Sequence, residues 1–506
     1  MTNQHMSRAR KPGERTGNLD ATVFSGSRRA ALKSRRRIWK MAALAAAFSL
    51  FALYLAWLEA YDSAPRHNDE SPLAEAVAQG AASSVTANTA SSITSGAAPA
   101  TAPAGNATAY GPDLVRRGEY LARVGDCIAC HTSDKGRPFA GGLAIHTPFG
   151  TIYTPNITPD ADTGIGRWTD ADFMRAMHEG IGKEGERLYP AFPYVEYTKV
   201  TELDVQAIRA YLNTVAPVHY TPPANNLSFP FNLRWLMFFW NLLNFDEGRF
   251  VPDPKQSAEW NRGAYLVQGL AHCEECHTPR NFTQGLKTSE RFSGAIQAGW
   301  HAYNITPHKT SGIGEWTDQD VIGYLSTGVA PKRANAAGPM ADVVADSTQY
   351  LNREDLRSIA TYLRTVKPVD KGESRARAGW GTPASDVVAL RGTKTNGVNG
   401  AQLFLANCAT CHNWTGEGVG ASAPGAYPSL IHNTVSGASD ANNLAMVILH
   451  GVSRATQGAD VLMPAFDRDL SDEQIAAITN YVTKRFGNPQ STVGVEQIGK
   501  LRATPQ

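Results

Sequence analysis

Arg117–Thr132 reads R-G-E-Y-L-A-R-V-G-D-C-I-A-C-H-T, and Arg262–Thr278 reads R-G-A-Y-L-V-Q-G-L-A-H-C-E-E-C-H-T. A more divergent copy, G-A-Q-L-F-L-A-N-C-A-T-C-H, occupies Gly400–His412. The six cysteines of the chain are all used in these three places, as Cys127/Cys130/His131, Cys273/Cys276/His277 and Cys408/Cys411/His412. Two thiols with two residues between them can reach both vinyl groups of one porphyrin, and the adjacent histidine then lies under the iron. Cys-x-x-Cys-His is accordingly a signature of covalent c-type haem. Zinc is the main rival for paired cysteines, but three pairs leave one unmatched, and zinc has no need of a histidine after every pair. Thiol–disulfide chemistry leaves the histidines equally unexplained. The expectation is three haem c groups, with His131, His277 and His412 as proximal iron ligands.

Working outward, the repeat extends well beyond the cysteines. N-I-T-P occurs at Asn156 and Asn304, and G-I-G-R-W-T-D (Gly164–Asp170) returns as G-I-G-E-W-T-D (Gly312–Asp318). Leu203–Val215, Glu354–Val366 and Asp472–Phe486 carry apolar residues at helical spacing, such as Ile208/Tyr211/Leu212. Ser471 stands as the N-cap of the last. A helix before each haem motif and another closing each unit, with turn-rich chain between, predicts an all-α architecture. The units are three domains at 111–222, 256–372 and 395–488, joined by an aromatic segment (223–255) and a linker (373–394), with a tail at 489–506.

A low-spin electron carrier needs a second axial ligand, most often methionine. Met340 lies twelve residues after Gly328, and Met463 twelve after Gly451, so both are expected as distal ligands. The same step from Gly180 in the first unit reaches Phe192, which cannot bind iron. His178 is the favoured substitute, because imidazole is a competent ligand and the aligned residue is Ser326, with no evident packing role. Met174, Met177 and an open five-coordinate iron are the alternatives.

Residues 1–40 hold eleven Lys/Arg against Glu14 and Asp20, a charge of +9, which leaves −7 for the rest of a chain whose net charge is +2. A basic tail alone would suggest nucleic acid. Instead, Met41–Leu58 follows as 18 residues without a charge, nearly long enough as a helix to span a hydrocarbon core of roughly 30 Å. Positive charge on its N-terminal side predicts a cytoplasmic tail, a membrane anchor and haem domains on the opposite side of that membrane. A cleaved signal peptide is the rival, but the apolar run is long for one and no clear cleavage site follows. Residues 59–110 are Ala/Ser/Thr/Pro-rich with almost nothing apolar to bury, as expected of a disordered tether.

The haem motifs together with N-I-T-P, G-I-G-x-W-T-D, L-Y-P-A-F-P-Y, the block Phe229–Asn241 (F-P-F-N-L-R-W-L-M-F-F-W-N) and G-P-M-A-D-V-V resemble the multihaem cytochrome c subunits of bacterial membrane-bound dehydrogenases. The resemblance covers about 110–488. It implies three tandem class I cytochrome c domains and electron flow from a catalytic partner subunit to ubiquinone or a terminal acceptor. That partner would be a quinoprotein, a flavoprotein or a molybdenum hydroxylase. In the alcohol dehydrogenase relatives the place of Phe192 is usually methionine, a departure that tilts the reading towards the molybdenum branch. No nucleotide-binding glycine pattern or nucleophile triad suggests organic chemistry in this chain itself. The rival functions are a peroxidase-like enzyme with an open first haem, and a cytochrome subunit of a terminal oxidase. Phe229–Phe245 is aromatic but too short to span a bilayer. It is either a surface for membrane, quinone or partner, or a helix buried between the first two units.

Met340→Ala and Met463→Ala are each expected to abolish one long-wavelength Met–iron absorption band. Loss of neither band would refute the shared twelve-residue offset.

Overall fold

Gly118, Gly263 and Gly400 each lie where two helices cross. A Cβ on them would overlap the carbonyl of Ala207, Ser358 or Ala477, and would come within 2.9, 2.9 and 3.1 Å of the Cβ of Tyr211, Tyr362 and Tyr481. Only glycine permits so close a backbone approach. The helices that meet there are Pro112–Val124 with Glu202–Leu212, Ala258–Tyr265 with Arg353–Leu363, and Gly400–Asn407 with Asp472–Phe486. The same crossing therefore occurs three times among the described residues. These are 110–385, 394, 395, 397–419 and 427–505 of a computed structural model, and all belong to one compact unit, Ala102–Gln506.

The closing helices begin as their sequences dictate. Thr201, Asn352 and Ser471 are N-caps whose side chains accept the amide hydrogens of Asp204, Asp355 and Gln474. The first two helices stop three residues before the predicted ends, ahead of Pro217 and Pro368, which cannot continue a helix. Thr169 and Thr317 of the W-T-D motifs form capping boxes that start Asp170–Glu179 and Asp318–Thr327. Gly180 (φ 64°) and Gly328 (φ 74°) end those helices in left-handed conformation.

The R-G-x-Y motif of the first two repeats joins them reciprocally. Arg117 and Arg262 each pair with the aspartate of their own closing helix, Asp204 (2.6 Å) and Asp355 (2.7 Å). The tyrosines cross over. The Tyr120 hydroxyl donates to Asp355 (2.6 Å) and that of Tyr265 to Asp204 (2.5 Å). Each tyrosine oxygen also accepts a backbone N–H of the other repeat, from Asn352 and Thr201. Around this exchange the two repeats share one hydrophobic core, including Leu121, Ile208, Leu266, Leu270, Ile359 and Leu363. At the equivalent places the third repeat has Asn399, Gln402 and Gln474, and it builds its own core around Phe404, Met446, Ile475, Ile478 and Phe486.

The third segment docks on the second through its backbone. The His301 N–H donates to Asn443 Oδ1 (2.7 Å), the Asn443 side-chain amide donates back to the His301 carbonyl (2.9 Å), and His301 Nδ1 lies 2.9 Å from Asp440. Arg454, buried and without a carboxylate partner among the described residues, donates to the Ala336 carbonyl (2.5 Å) and lies over Gly328. There it meets the negative end of the Asp318–Thr327 helix, which favours a cation.

Several expectations need correction. The described chain is mostly helical rather than purely so: short antiparallel ribbons such as Ala144–Thr147 with Gly150–Tyr153 and Ala295–Gln297 with Trp300–Ala302 carry the turns between helices. The 373–394 stretch is not simply a linker, since Arg377 is buried and donates to the carbonyls of Ser311 (2.7 Å) and Asn304 (3.2 Å). The 489–506 stretch carries the helix Val495–Arg502, whose Ile498 and Leu501 enter the third core. Among the described residues no helix is long and apolar enough to cross a membrane. The 41–58 anchor, with the basic tail and nearly all of the tether, lies outside the described residues.

Tyr265→Phe is expected to lower stability by about 1–3 kcal/mol, because it removes a hydrogen bond to a buried carboxylate. Chemical denaturation of the holoprotein measures this. Burial pushes Asp355 upward, but Arg262 and Tyr120 outweigh it and hold the carboxyl below its usual value. This contribution is thus present above the ordinary carboxylate range and is lost as pH falls through Asp355's lowered value.

Candidate haem-attachment sites

Each cysteine pair lies on one helical turn. The amides of His131, His277 and His412 donate to the carbonyls of Cys127, Cys273 and Cys408 at 3.0, 3.1 and 2.9 Å. This turn puts the first cysteine, the second and the histidine on one side of the chain, since residues three and four apart share a face. All six thiols, of Cys127, Cys130, Cys273, Cys276, Cys408 and Cys411, are free. Burial pushes the Cys127, Cys273 and Cys408 thiols up to about 12, which keeps them neutral and makes them poor thiolate ligands. Among the described residues, no group of three or more His, Cys, Asp or Glu is gathered to hold a metal ion by itself.

The third turn departs from the other two at Cys411. Cys130 and Cys276 are exposed, whereas Cys411 is half-buried. The Cys411 amide also donates to the Cys408 carbonyl (3.2 Å), which tightens the start of the turn. Cys408 also has a non-helical backbone (φ −122°, ψ −33°), whereas its counterpart Cys273 is helical (φ −57°, ψ −27°). The pair still spans a single turn and its two thiols remain available for haem.

The three histidines are held alike. His131 Nδ1 is 2.7 Å from the Pro155 carbonyl, His277 Nδ1 is 2.7 Å from that of Tyr303, and His412 Nδ1 is 2.8 Å from that of Pro428. A carbonyl only accepts, so Nδ1 carries the proton and Nε2 keeps its lone pair. Burial lowers the pKa of all three, and the rings are neutral at physiological pH. A neutral imidazole whose second nitrogen is fixed by a carbonyl is the usual state of a metal-binding histidine. Two free thiols and an oriented Nε2 within one turn fit haem c at each place.

The repeated N-I-T-P motif explains why those carbonyls are in position, a role that the sequence reading missed although the motif itself was the signal. Pro155 and Tyr303 immediately precede Asn156 and Asn304. Each asparagine accepts from the threonine two residues on and donates to the chain beyond the closing helix, at Val218 and Val369 (both 2.8 Å). The turn carrying the acceptor is thereby tied to the end of its own repeat.

The sixth-ligand candidates are placed less uniformly. Met340 lies in the first turn of the helix Pro339–Asp346, and Met463 ends the strand Asp460–Met463 opposite Val452. The common offset thus leads to two different local structures, in both of which the side chain is half-buried. His178 is buried, with Nε2 2.9 Å from the Val200 carbonyl and Nδ1 unpartnered among the described residues. As placed, Nε2 is committed to the main chain and Nδ1 is the nitrogen left with a lone pair. Burial, and next the Arg249 charge, pull this ring down to about 4. Met177 is buried in the shared core and Met174 packs against it. Phe192 packs edge-on to Tyr197, with ring centroids 5.4 Å apart.

The first two sites adjoin. Cys130 and Cys276 are close enough to influence each other electrostatically, and the helix Pro339–Asp346 of the second repeat packs on Cys127–Cys130 of the first. The aromatic segment bridges the same junction. On the helix Met237–Asn244, Asn241 accepts from the Tyr194 hydroxyl (2.6 Å), and Trp240 Nε1 donates to the Thr283 carbonyl (2.8 Å). Its other side leaves Trp235, Phe238 and Phe239 at 60, 51 and 39 % exposure. The segment is therefore both a connector and an exposed apolar surface, of the kind that marks an interaction site.

The cytochrome c family matches residues 115–216 and 397–485, the first and third repeats. The chain is 44 % identical to the fructose dehydrogenase cytochrome subunit of Gluconobacter japonicus over 78 % of its own length and 84 % of that protein. It is 38 % identical to the cytochrome c subunit of the quinone alcohol dehydrogenase of Gluconobacter oxydans (strain 621H), over 77 % and 82 %. To the gluconate 2-dehydrogenase cytochrome c subunit of Pantoea cypripedii it is 36 % identical, over 77 % and 89 %. With three oriented Cys-x-x-Cys-His turns and these relatives matched over most of their length, the chain belongs to the multihaem cytochrome c subunits of membrane-bound dehydrogenases.

Proposed function

We propose that this chain is a three-haem electron-transfer subunit, receiving electrons from a separate catalytic dehydrogenase and passing them to ubiquinone or a terminal acceptor of the respiratory chain. One observation carries the reading: three neutral histidines, each fixed through Nδ1 to a carbonyl and each one helical turn from two free thiols. Haem c held there supplies a one-electron carrier. The residues of the chain attach it, orient the proximal imidazole and, through the shared core, hold the first two sites side by side. The relatives are subunits of dehydrogenases of different substrates, which supports a quinoprotein, flavoprotein or molybdenum hydroxylase as partner and does not favour a peroxidase or an oxidase subunit.

In this reading three tandem class I domains, 111–222, 256–372 and 395–488, follow the 41–58 anchor and its tether on the periplasmic side of the inner membrane. The apolar run and the basic flank before it support that placement. Cys127 with Cys130, Cys273 with Cys276 and Cys408 with Cys411 attach the three haems. Met340 and Met463 complete two iron sites, and His178 the first.

Expressed with c-type haem maturation, the chain should carry three haems by pyridine haemochromogen assay, and each cysteine pair replaced by serine should remove one. Co-purified with its catalytic subunit, it should be reduced by that enzyme's substrate and reoxidised by a quinone. Substrate oxidation or peroxide reduction by this chain alone would overturn the assignment. His178→Ala should open the first site of the reduced protein to CO. A native chain that already binds CO to the same extent would remove His178 from the ligand set.

A further inference from the structure

Glu196 is a carboxyl in a core position. It is 2 % exposed, and among the described residues its oxygens meet no N–H donor, only the Glu275 carboxyl within hydrogen-bond reach. It lies on the helix Tyr194–Tyr197 of the first repeat and faces Glu274 and Glu275, the two residues between Cys273 and Cys276 of the second. The cations nearby are taken. Arg280 pairs with Glu275, and Arg291 Nε lies 2.9 Å from Glu274, on which Lys199 also acts. His272 faces Glu275. Three carboxyls thus share two paired arginines; Arg280 also acts on Glu196, which itself forms no ion pair among the described residues.

The fold does not require this acid. The alignment that sets Phe192 against Met340 sets Glu196 against Val344, which is fully buried on the helix Pro339–Asp346. That helix packs on Cys127–Cys130, where Ile128 and Ala129 stand in place of Glu274 and Glu275. Between its cysteines one of two related junctions is therefore apolar, and the other carries two acids faced by Glu196. Asp126, the buried acid near the apolar junction, faces Asp342 and Asp346, on which Lys135 and Arg123 act.

We propose, resting on the electron-transfer reading, that Glu196 is a redox-linked proton acceptor for the first two haem sites. As one electron arrives at these sites from the donor, one proton from solvent binds the Glu196 carboxylate. When the electron leaves for the acceptor, the proton returns to solvent, and no other bond changes. The physical basis is charge. An uncompensated buried carboxylate is costly, and a further negative charge nearby favours its neutral form. Burial and then the Glu275 carboxyl already push Glu196 well above the ordinary carboxylate range. The coupling therefore operates above that range: the midpoint potential falls as pH rises between the Glu196 values of the oxidised and reduced protein.

Spectroelectrochemical titration of the holoprotein from mildly acidic to mildly alkaline pH tests this. In the native chain at least one midpoint should fall with pH, with a slope approaching about 59 mV per pH unit, the tenfold-per-electron constant. Glu196→Gln, and Glu196→Val as the residue of the equivalent position, should flatten that slope, and Glu196→Asp should keep it at a displaced pH. A native slope that survives Glu196→Gln in fully haem-loaded protein, or no native slope at all, overturns the proposal. Haem content is measured on the same samples, and a chain that takes up no haem would instead sink the electron-transfer reading beneath it.

Discussion

The crossed exchange of Tyr120 and Tyr265 between Asp355 and Asp204 is the constraint on which the rest of the arrangement depends. Each aspartate is buried, and each is compensated by an arginine of its own repeat and a hydroxyl of the other. Such a carboxylate is expensive to bury unless every partner is in place. The exchange therefore sets the orientation of the two repeats as well as their contact, and it brings Cys130 near Cys276. The third repeat lacks all three of these residue types at the corresponding positions. Its core is its own apart from Trp300 of the second repeat, and it meets that repeat through the Asn443 side chain on the His301 backbone and through the buried Arg454.

Within this frame each attachment site is built by local means. One helical turn sets the thiols and the imidazole, and a carbonyl fixes which ring nitrogen is free. In the first two repeats the N-I-T-P turn ties that carbonyl to the end of the repeat, so that proximal geometry is supported by the same chain segments that close the domain. The distal side is under no such common control. Met340 begins a helix, Met463 ends a strand, and the first repeat has an aromatic contact between Phe192 and Tyr197. Differences between the repeats are thus concentrated at the residues proposed as distal ligands, whose identity would set the potential.

The near-symmetry of the first two repeats makes their departures from it informative. Glu196 facing Glu274 and Glu275, against Val344 near Ile128 and Ala129, is a difference that packing does not demand. The bridging helix Met237–Asn244 adds a second asymmetry, since it joins the first two repeats from one side and leaves an aromatic surface outward.

The sequence alone determined the cofactor chemistry, the threefold recurrence and the course of the helices, because these depend on spacing along the chain. Cys-x-x-Cys-His, the W-T-D capping boxes and the closing glycines Gly180 and Gly328 act within a few residues of themselves. Ser471 could be read as an N-cap for the same reason. What depended on contacts distant in sequence was not legible. R-G-x-Y, legible only as part of a repeat, proved to be a crossed interface, while N-I-T-P proved to be the support of a proximal carbonyl. The motif spacing also gave no warning that Cys411 is half-buried where Cys130 and Cys276 are exposed. The stretch after 489 was read as a tail, although its apolar residues find a core only once the third repeat is folded. His178 was visible as an unusual histidine, but its bond to Val200 and the unpaired state of Glu196 arise from packing between elements, and only the tertiary structure decides those.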